Sequence, residues 1–391
     1  MRISGFSPYL YHGNIADFVA PPMDMIGKEE ALRLSSREDN VASIMFNSNP
    51  SRQLGRLRKE GKLKKVGVDM MLILKQDFVL DGENVSRTGL ICSLELDSEN
   101  DLIPHEGTMR EYVIKRRDFL AATGAQVEPV FIVAPGNVEE FISTLVEKEE
   151  PLLSFVDSAG VVNTLYPVKQ GTAISRISEA LRDVRGIIAD GHHRVKALIE
   201  VNRYRERMGL GRIPLLSYIT SLDAPGLRIS GIHRIIRGGG KELLGMINSE
   251  FSTVEIQEDG RDGRMILYDG SFREMEPLPE TRDLVRSLGL YPDTPPDYSH
   301  LILSGESHNI VSMENLVEYT PFETEAIREV NRGGATAAIL MPRWSKDKFL
   351  SVVSSGRILP PKSTFFHPKI FSGIALSLHE SQDTERSTNR E

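Results

Sequence analysis

The chain has 391 residues, 40% of them hydrophobic and 26% charged, and a net charge of −8. This length predicts two or three subdomains, and the negative charge argues against general affinity for nucleic acid or anionic membranes. The single cysteine excludes an internal disulfide, residues 1–8 lack the apolar core of a signal peptide, and no stretch approaches the roughly 20 apolar residues of a membrane span. We therefore expect a cytoplasmic globular protein with no membrane partner, for which nucleic acid is an unfavoured partner.

The first 96 residues are predicted to form an N-terminal α/β region. Two prolines make residues 20–24 a rigid turn. The basic stretch Gln53–Lys65 places leucines beneath arginines and lysines, a pattern typical of a solvated helix face, with nucleic-acid contact as the alternative. The other expected elements of this region are a helix at Lys28–Leu34 and strands at Val68–Leu74 and Thr88–Leu96.

Residues 97–222 are predicted to form the central core. Its expected elements are helix Arg110–Thr123, strand Val127–Ala134, helix Val138–Glu147, a hairpin over Leu152–Val168, a helix ending at Asp183 and strand Ile213–Ile219. Just before the first of these helices, residues 103–108 carry a histidine, a carboxylate and a hydroxyl within four positions. These side chains suit proton transfer or a metal-phosphate group, and the alternative is a loop in which Thr108 caps the helix.

The segment Gly186–Leu198 is the most informative part of the chain. Its first residues predict a buried strand ending at Asp190, and the apolar spacing from Val195 predicts a helix that stops at Gly209. Residues 190–194, Asp-Gly-His-His-Arg, therefore lie on a strand-to-helix turn. Cations are normally unfavourable at a helix N-terminus, so the two histidines and the arginine indicate an anion, and the backbone N–H groups suit a phosphate.

Simpler interpretations exist for each residue of this turn. Asp190 could be a helix N-cap, the two histidines could be surface residues, and Arg194 could pair with a distant carboxylate. Zinc binding by His192 and His193 is not expected, because neighbouring helix residues diverge and no Cys or His stands nearby at metal-ligand spacing. Anion binding explains the whole cluster, and we favour it.

Residues 223–380 are predicted to form a C-terminal α+β region, followed by a polar tail over 381–391 that we expect to be disordered. Its expected strands are Met265–Asp269, Leu301–Leu303 and Thr336–Met341. The sequence after Lys362 resembles the end of a P-loop, but a proline precedes the lysine and the glycines are missing. Lys362–Lys369 is thus a basic turn, for which phosphate contact and surface solvation are both open.

Five motifs along the chain together resemble a known family. They are Ala20-Pro-Pro-Met-Asp24, Pro104-His105-Glu106-x-Thr108, Ile188-Ala-Asp190-Gly-His-His-Arg194, Ile232-His233-Arg234 and Leu359-Pro-Pro-Lys362-Ser-Thr-Phe-Phe-x-Pro368-Lys369. In this order they resemble the prokaryotic domain-of-unknown-function family 1015, over nearly the whole chain. That family in turn resembles the ParB/sulfiredoxin superfamily, whose Gly-x-His-Arg turn holds nucleotide phosphates, and within it the free serine kinases.

The resemblance implies an α/β (α+β) fold with a ParB/sulfiredoxin-like mixed-sheet core over residues 97–222. It implies a nucleotide-dependent phosphotransferase that acts on a small hydroxyl metabolite, with free L-serine as the first candidate, ATP or ADP as donor and Mg²⁺ as cofactor. Sulfiredoxin chemistry is excluded because His192 stands where the nucleophilic cysteine would be. The alternatives are a non-catalytic nucleotide-binding or scaffold protein and a nucleotide hydrolase.

The resemblance also implies roles for individual residues. Glu106 is the expected general base and Asp190 is the expected magnesium ligand. Should Glu106 not be the base, Asp24 in the rigid turn with two prolines is our own second choice. The expected catalytic residues are Glu106, Asp190 and His193; the phosphate-binding residues are Gly191, His192, His193, Arg194 and Lys362; and the substrate-binding residues are His105, His233 and Arg234. We expect Glu106, Asp190, His233 and Lys362 to line one cleft.

Overall fold

The computed structural model describes residues 1–136, 138–139, 142, 149–169, 171–238, 245, 247–261, 263–287, 295–304 and 316–379. The chain divides into two compact units. The first contains residues 1–227 together with the C-terminal residues from Pro368, and the second contains Arg228–His367. The predicted helix at Val138–Glu147 and the predicted disordered tail lie largely or wholly outside the described residues.

The described helices are α1 (Ile15–Phe18), α2 (Lys28–Ser35), α3 (Ala42–Met45), α4 (Pro50–Lys59), α5 (Arg110–Thr123), α6 (Gly171–Leu181), α7 (His192–Arg207), α8 (Pro279–Ser287), α9 (Pro295–Ser304), α10 (Glu323–Asn331) and α11 (Lys346–Ser354). The first unit's strands before residue 228 are β1 (Arg2–Ser4), β2 (Tyr9–Tyr11), β3 (Leu63–Lys65), β4 (Met71–Leu80), β5 (Glu83–Glu95), β6 (Ala125–Gln126), β7 (Val130–Ala134), β8 (Leu153–Val156), β9 (Val162–Val168), β10 (Ile187–Asp190) and β11 (Leu215–Ser221). The second unit contains β12 (Arg228–Ser230), β13 (His233–Ile236), β14 (Phe251–Glu255), β15 (Ile266–Tyr268), β16 (Phe272–Pro277), β17 (Val317–Thr320), β18 (Ala337–Leu340) and β19 (Phe365–His367), and β20 (Ser377–Leu378) returns to the first unit.

A mixed sheet organises the first unit, with the strand order β10-β7-β11-β5-β4-β9-β8 and β1 beside β5. The pair β11 and β7 is parallel, and the other pairs of this sheet are antiparallel. Strand β7, Val-Phe-Ile-Val-Ala, is buried along its whole length, because the sheet is covered on both faces. The mixed α/β architecture expected from the sequence is confirmed. Strands that precede residue 96 in the sequence and strands that follow it belong to this one sheet. The predicted division of the chain into three regions stays a prediction.

The two faces of this sheet differ in chemistry. One face packs Leu90, Cys92 and Leu94 of β5 into the large apolar core with α6 and α7. Because side chains alternate along a strand, Arg87 and Gly89 of the same strand lie on the opposite face. That face carries buried polar residues among its apolar ones: Gln76, Arg87, Asn163, Tyr218 and Thr220.

The second unit contains a six-stranded antiparallel sheet in the order β14-β16-β15-β18-β13-β17. Strand β18, Ala-Ala-Ile-Leu, is fully buried, since alternate residues enter two apolar clusters on opposite faces of the sheet. The prediction of a strand at Leu301–Leu303 is wrong. These residues belong to helix α9, whose first residues are Pro295 and Pro296, and a short apolar run alone does not distinguish a strand from part of a helix.

Gly89 provides a direct test of the sheet register in the first unit. A Cβ atom at this position would overlap the ring of Tyr218 on the neighbouring strand. We expect Gly89→Ala to lower the free energy of unfolding by about 1–3 kcal/mol, the usual scale of overpacking in a core. The measurement is urea denaturation of the two proteins.

Gly55→Ala is the matched control, because Gly55 lies inside α4 and a Cβ there has nothing within 4 Å. This change should stabilise the protein by about 0.5–1 kcal/mol, as expected for alanine in a helix. Equal effects of the two substitutions would contradict the register.

Candidate functional site

The Asp-Gly-His-His-Arg segment forms the strand-to-helix turn that the sequence predicts. Strand β10 ends at Asp190 and helix α7 begins at His192, with Gly191 between them at φ 103°. Glycine suits this position because it adopts positive φ readily, and a Cβ would lie 2.9–3.0 Å from the Arg194 guanidinium. Gly191 takes the N-cap position, and no described side chain caps the helix there. The alternative of Asp190 as N-cap is therefore not realised.

The carboxylate of Asp190 is shared by two cations. Arg194 Nη2 donates to Oδ2 at 2.5 Å, and Lys369 Nζ donates to Oδ1 at 2.6 Å. Burial raises the pKa of the Asp190 carboxyl, but the charges of Lys369 and Arg194 outweigh this effect and hold the pKa well below its usual value. Asp190 is therefore ionised across the physiological pH range.

Arg194 also connects the turn to a second buried carboxylate. Its Nη1 donates to the backbone oxygens of Glu128 at 3.1 Å and Pro129 at 2.7 Å. The Glu128 side chain pairs with Arg116 at 2.6 Å and accepts from the Ser372 hydroxyl at 2.9 Å. Burial raises the pKa of Glu128, and the charges of Arg116 and Arg194 hold it below its usual value.

The two histidines of the turn have different surroundings. His192 is buried, and its Nε2 accepts from the backbone N–H of His105 at 3.3 Å, with the two rings in an edge-on contact of 4.7 Å. Burial and the neighbouring His105 lower the pKa of His192 to about 3, so its imidazole is neutral at physiological pH. His193 Nε2 accepts from the N–H of Met109 at 3.0 Å, and its ring lies against Tyr112. Because Nε2 accepts in each ring, the proton of the neutral form is on Nδ1.

The Pro-His-Glu segment lies beside this turn. Backbone hydrogen bonds join Ile103 to Gly186 and Ile188, which brings residues 104–106 next to the end of β10. His105 is completely buried, and its Nε2 lies 3.7 Å from Oε1 of Glu106, a side chain that is 13% exposed. The charges of Glu106 and Asp190 both act on His192. The structure therefore brings Glu106, His105 and residues 190–194 together.

The remaining predicted residues belong to the second unit. His233 is buried and accepts from the N–H of Met341 at 3.0 Å, and burial lowers its pKa to about 4. Arg234 is buried, donates to the backbone oxygen of Ile232 and lies over the Tyr319 ring. Lys362 has a left-handed backbone with φ 64°. The assignment of these residues to one cleft with Asp190 stays a prediction.

Asp24, the second choice for the general base, belongs to the first unit. Only its backbone is described, and it lies in the 3₁₀ turn Met23–Met25.

The described residues do not form a complete metal site. Among the described residues, no group of three or more His, Cys, Asp or Glu side chains is arranged to hold a metal ion. Both oxygens of Asp190, the predicted magnesium ligand, already accept from cations, and positive neighbours repel a divalent ion. Asp190 in this arrangement does not fit the role of a metal ligand.

Sequence reasoning missed Glu128 and Lys369, which complete the charged cluster. Glu128 stands in a Glu-Pro step before an apolar strand, and no sequence signal marks it. Lys369 ends the Leu359–Lys369 motif, and the prediction chose Lys362 from the same motif instead. The one available signal for Lys369 was its position between Pro368 and the apolar residues Ile370 and Phe371.

The sequence pattern of the DUF1015 family, described as proteins of unknown function, matches residues 6–291 of this chain. The chain belongs to this family. The expected membership is thereby confirmed, and a search of curated proteins finds no match for the DUF1015 chain.

Several solved structures are similar to the DUF1015 chain at low identity. A conserved hypothetical protein from Pyrococcus furiosus is 14% identical with a TM-score of 0.39, covering 72% of this chain and 93% of its own. A free serine kinase in complex with AMP is 14% identical with a TM-score of 0.38, covering 68% and 83%. SbnI with a C-terminal truncation, from Staphylococcus aureus, is 12% identical with a TM-score of 0.41, covering 76% and 94%.

Within the part of the chain that the structure describes, none of the helices is both long and apolar enough to span a bilayer.

The buried His192 predicts a defined pH dependence of stability. Its native pKa of about 3 lies below the unfolded value near 6.5, so below that value the unfolded chain binds a proton that the native protein does not. This contribution to stability is complete above pH 6.5 and is lost as the pH falls toward 3. We expect wild type to lose about 2 kcal/mol relative to His192→Gln between pH 7.5 and 5, measured by urea denaturation.

His12→Gln is the control, since His12 is exposed and its removal should leave the pH dependence unchanged. A constant difference between wild type and His192→Gln over this range would show that the His192 imidazole is not held neutral.

Proposed function

We propose that this DUF1015 protein is a nucleotide-dependent phosphotransferase that acts on a small hydroxyl metabolite, with free L-serine as the first candidate. The single observation that supports it best is the convergence of three features at one turn. Arg194 and Lys369 flank Asp190 at the N-terminus of α7, that N-terminus has no described side-chain cap, and Glu106 lies beside it. The turn thus offers positive charge and backbone donors next to a carboxylate.

Phosphate binding follows from the chemistry of this helix end. The first backbone N–H groups of a helix have no partner within the helix, and they point toward the partial positive end of its dipole. The Arg194 guanidinium adds a charged donor of the kind that binds phosphate oxygens well. In the proposed site, the N–H groups of Gly191–Arg194 and the Arg194 side chain hold the phosphates of ATP or ADP. The neutral His192 adjoins them without adding charge, and His193 lies next to it in the first turn of the helix.

Glu106 is the proposed general base. The acceptor hydroxyl gives its proton to the Glu106 carboxylate, its oxygen bonds to the terminal phosphorus of the donor, and the bond from that phosphorus to the bridging oxygen breaks. Phosphoryl transfer of this kind depends mainly on positioning and on charge neutralisation. His105 lies 3.7 Å from Glu106 and is suited to orient this carboxylate toward the acceptor.

Magnesium, which the resemblance to free serine kinases implies, would neutralise charge on the donor phosphates. This ion usually keeps several waters and is held by one or two carboxylates together with substrate phosphates. Because Asp190 is engaged by two cations, the proposal assigns the protein no complete magnesium site of its own.

A non-catalytic nucleotide-binding protein is the second candidate. The observation that favours it is the internal neutralisation of the turn, where Asp190 already occupies two of the cations that a phosphate would contact. Phosphate binding would then redistribute these ion pairs, so that nucleotide binding changes the conformation around Lys369. A protein of this class binds nucleotide without acceptor-dependent turnover.

Two substitutions separate binding from catalysis. Arg194→Ala should weaken ATP or ADP binding by about 1.5–3 kcal/mol in calorimetry, because a charge-assisted phosphate contact is lost. Glu106→Gln keeps the shape of the side chain but removes its basicity, so phosphoryl transfer should fall by about two to four orders of magnitude with nucleotide affinity unchanged. Turnover is followed by phosphorus NMR with free amino acids and other small alcohols.

Glu111→Gln is the matched control for Glu106→Gln, since Glu111 is an exposed carboxylate on the neighbouring helix α5. Its turnover should equal that of wild type. If wild type binds nucleotide and no hydroxyl compound stimulates consumption, the phosphotransferase assignment fails and the binding protein stands. If turnover survives in Glu106→Gln, another residue is the base.

A further inference from the structure

The chain returns to the first unit through a segment that we call the return segment, Pro368–Leu376. Backbone hydrogen bonds join it to distant parts of the same unit, pairing Ser372 with Ala20 and Leu376 with Tyr9, and its Gly373 N–H donates to the Val127 oxygen. It also reaches both buried carboxylates of the site: Lys369 contacts Asp190 and Ser372 contacts Glu128. The return segment is therefore built into the site.

These contacts gather buried charges of both signs. Asp190 and Glu128 are the carboxylates, and Arg116, Arg194 and Lys369 are the cations that contact them through side-chain or backbone atoms. Lys369 is only 5% exposed, and the Glu106 carboxylate lies beside the same turn. Buried charge is costly unless it is compensated, so the pairing with Asp190 holds Lys369 at the start of α7.

We propose that Lys369 is a phosphate-binding residue of the nucleotide site and that Arg87 is the residue that positions it. This inference rests on the proposed function and adds to it a ligand contact from the C-terminal end of the chain. Lys369 contacts Oδ1 and Arg194 contacts Oδ2 of Asp190, which lies two residues before α7 begins. Both cations are therefore close to the start of this helix, where the proposed phosphate binds. The lysine supplies a point charge, and the arginine supplies directional donors.

The positioning role of Arg87 follows from its hydrogen bonds. Arg87 is completely buried, and its Nη2 donates to the side-chain oxygen of Gln76 and to the Pro368 backbone oxygen, the latter at 2.5 Å. Gln76 Nε2 in turn donates to the Lys369 backbone oxygen at 3.2 Å and to Asn163 at 2.9 Å. These contacts fix the backbone carbonyl groups that come directly before and directly after the Cα atom of Lys369.

Arg87, Gln76 and Asn163 form a hydrogen-bonded row of side chains that we call the ladder. It crosses three neighbouring strands in register. Gln76 on β4 is the direct partner of Arg87 on β5 and of Asn163 on β9. Among the described residues, Arg87 has no carboxylate in ion-pair contact, and its guanidinium lies over the Phe131 ring at 4.8 Å. The guanidinium is fully buried, where a charge is costly unless it is compensated, and Tyr218 and Glu139 favour its charged form.

The first experiment measures binding of ADP and of inorganic pyrophosphate to wild type and to Lys369→Met by calorimetry. Loss of a charge-assisted contact predicts a weakening of about 10- to 100-fold for both probes, since the contact is to phosphate. Lys59→Met is the matched control, because it removes the same charge from an exposed position at the end of α4, and it should leave both affinities unchanged. Equal affinities for wild type and Lys369→Met would overturn the inference.

The second experiment is a double-mutant cycle. If Arg87 acts through Lys369, Arg87→Met weakens ADP binding in the wild-type background by an amount close to that of Lys369→Met, and has no further effect in the Lys369→Met background. Additive losses would overturn the positioning role. If Arg87→Met does not fold, as judged by thermal unfolding, the same cycle is carried out with Gln76→Ala, which removes the hydrogen bond to the Lys369 backbone.

The outcomes distinguish this inference from the function on which it rests. If wild type binds neither ADP nor pyrophosphate, the nucleotide site itself is wrong. If wild type binds them, Arg194→Ala weakens binding and Lys369→Met does not, the nucleotide site stands and the assignment of Lys369 fails.

Discussion

The Asp190 carboxylate, held between Arg194 and Lys369, is the interaction on which the rest of the site depends. It joins a residue at the end of strand β10 to one in the first turn of α7 and to one near the C-terminal end of the chain. The contact with Arg194 also brings that guanidinium within reach of the Glu128 and Pro129 carbonyls at the start of β7. Removal of the carboxylate would take a compensating negative charge from two largely buried cations, which is strongly unfavourable.

This ion-pair cluster explains why segments so distant in sequence meet on one side of the sheet. Glu128 accepts from the Met23 N–H and the Ser372 hydroxyl, so the turn with two prolines and the return segment share one carboxylate. The Arg87–Gln76–Asn163 ladder, on strands β5, β4 and β9, holds the backbone of the return segment at Pro368 and Lys369. These contacts fix the positions of the side chains in the site. Fixed binding groups suit the phosphoryl transfer that we propose, because that reaction depends mainly on positioning.

Local signals in the sequence predicted the elements that depend on neighbouring residues alone. The apolar run before Asp190 and the helical spacing after Val195 are such signals, and the turn between them follows. The helix Arg110–Thr123 begins and ends where its pattern predicts. Strand Leu301–Leu303 failed because its short apolar run carries no period that separates strand from helix.

The contacts of Glu128 and Lys369 could not be predicted, because they depend on which strands pair and on where the chain returns after about 140 residues in the second unit. Lys362 and Lys369 share one basic motif, and only the path of the backbone after His367 decides which lysine meets Asp190. His233, buried and bonded to a backbone N–H, shows the same limit: the side chain suits catalysis or structure equally well until its surroundings are known.

The most direct test of this account is a crystal structure of the protein grown with ADP. The account predicts phosphate oxygens within hydrogen-bond distance of the backbone N–H groups of Gly191–Arg194, with the Arg194 side chain in contact and Glu106 beside the terminal phosphate. A nucleotide bound elsewhere on the protein, with the Asp190 turn empty of phosphate, would contradict it.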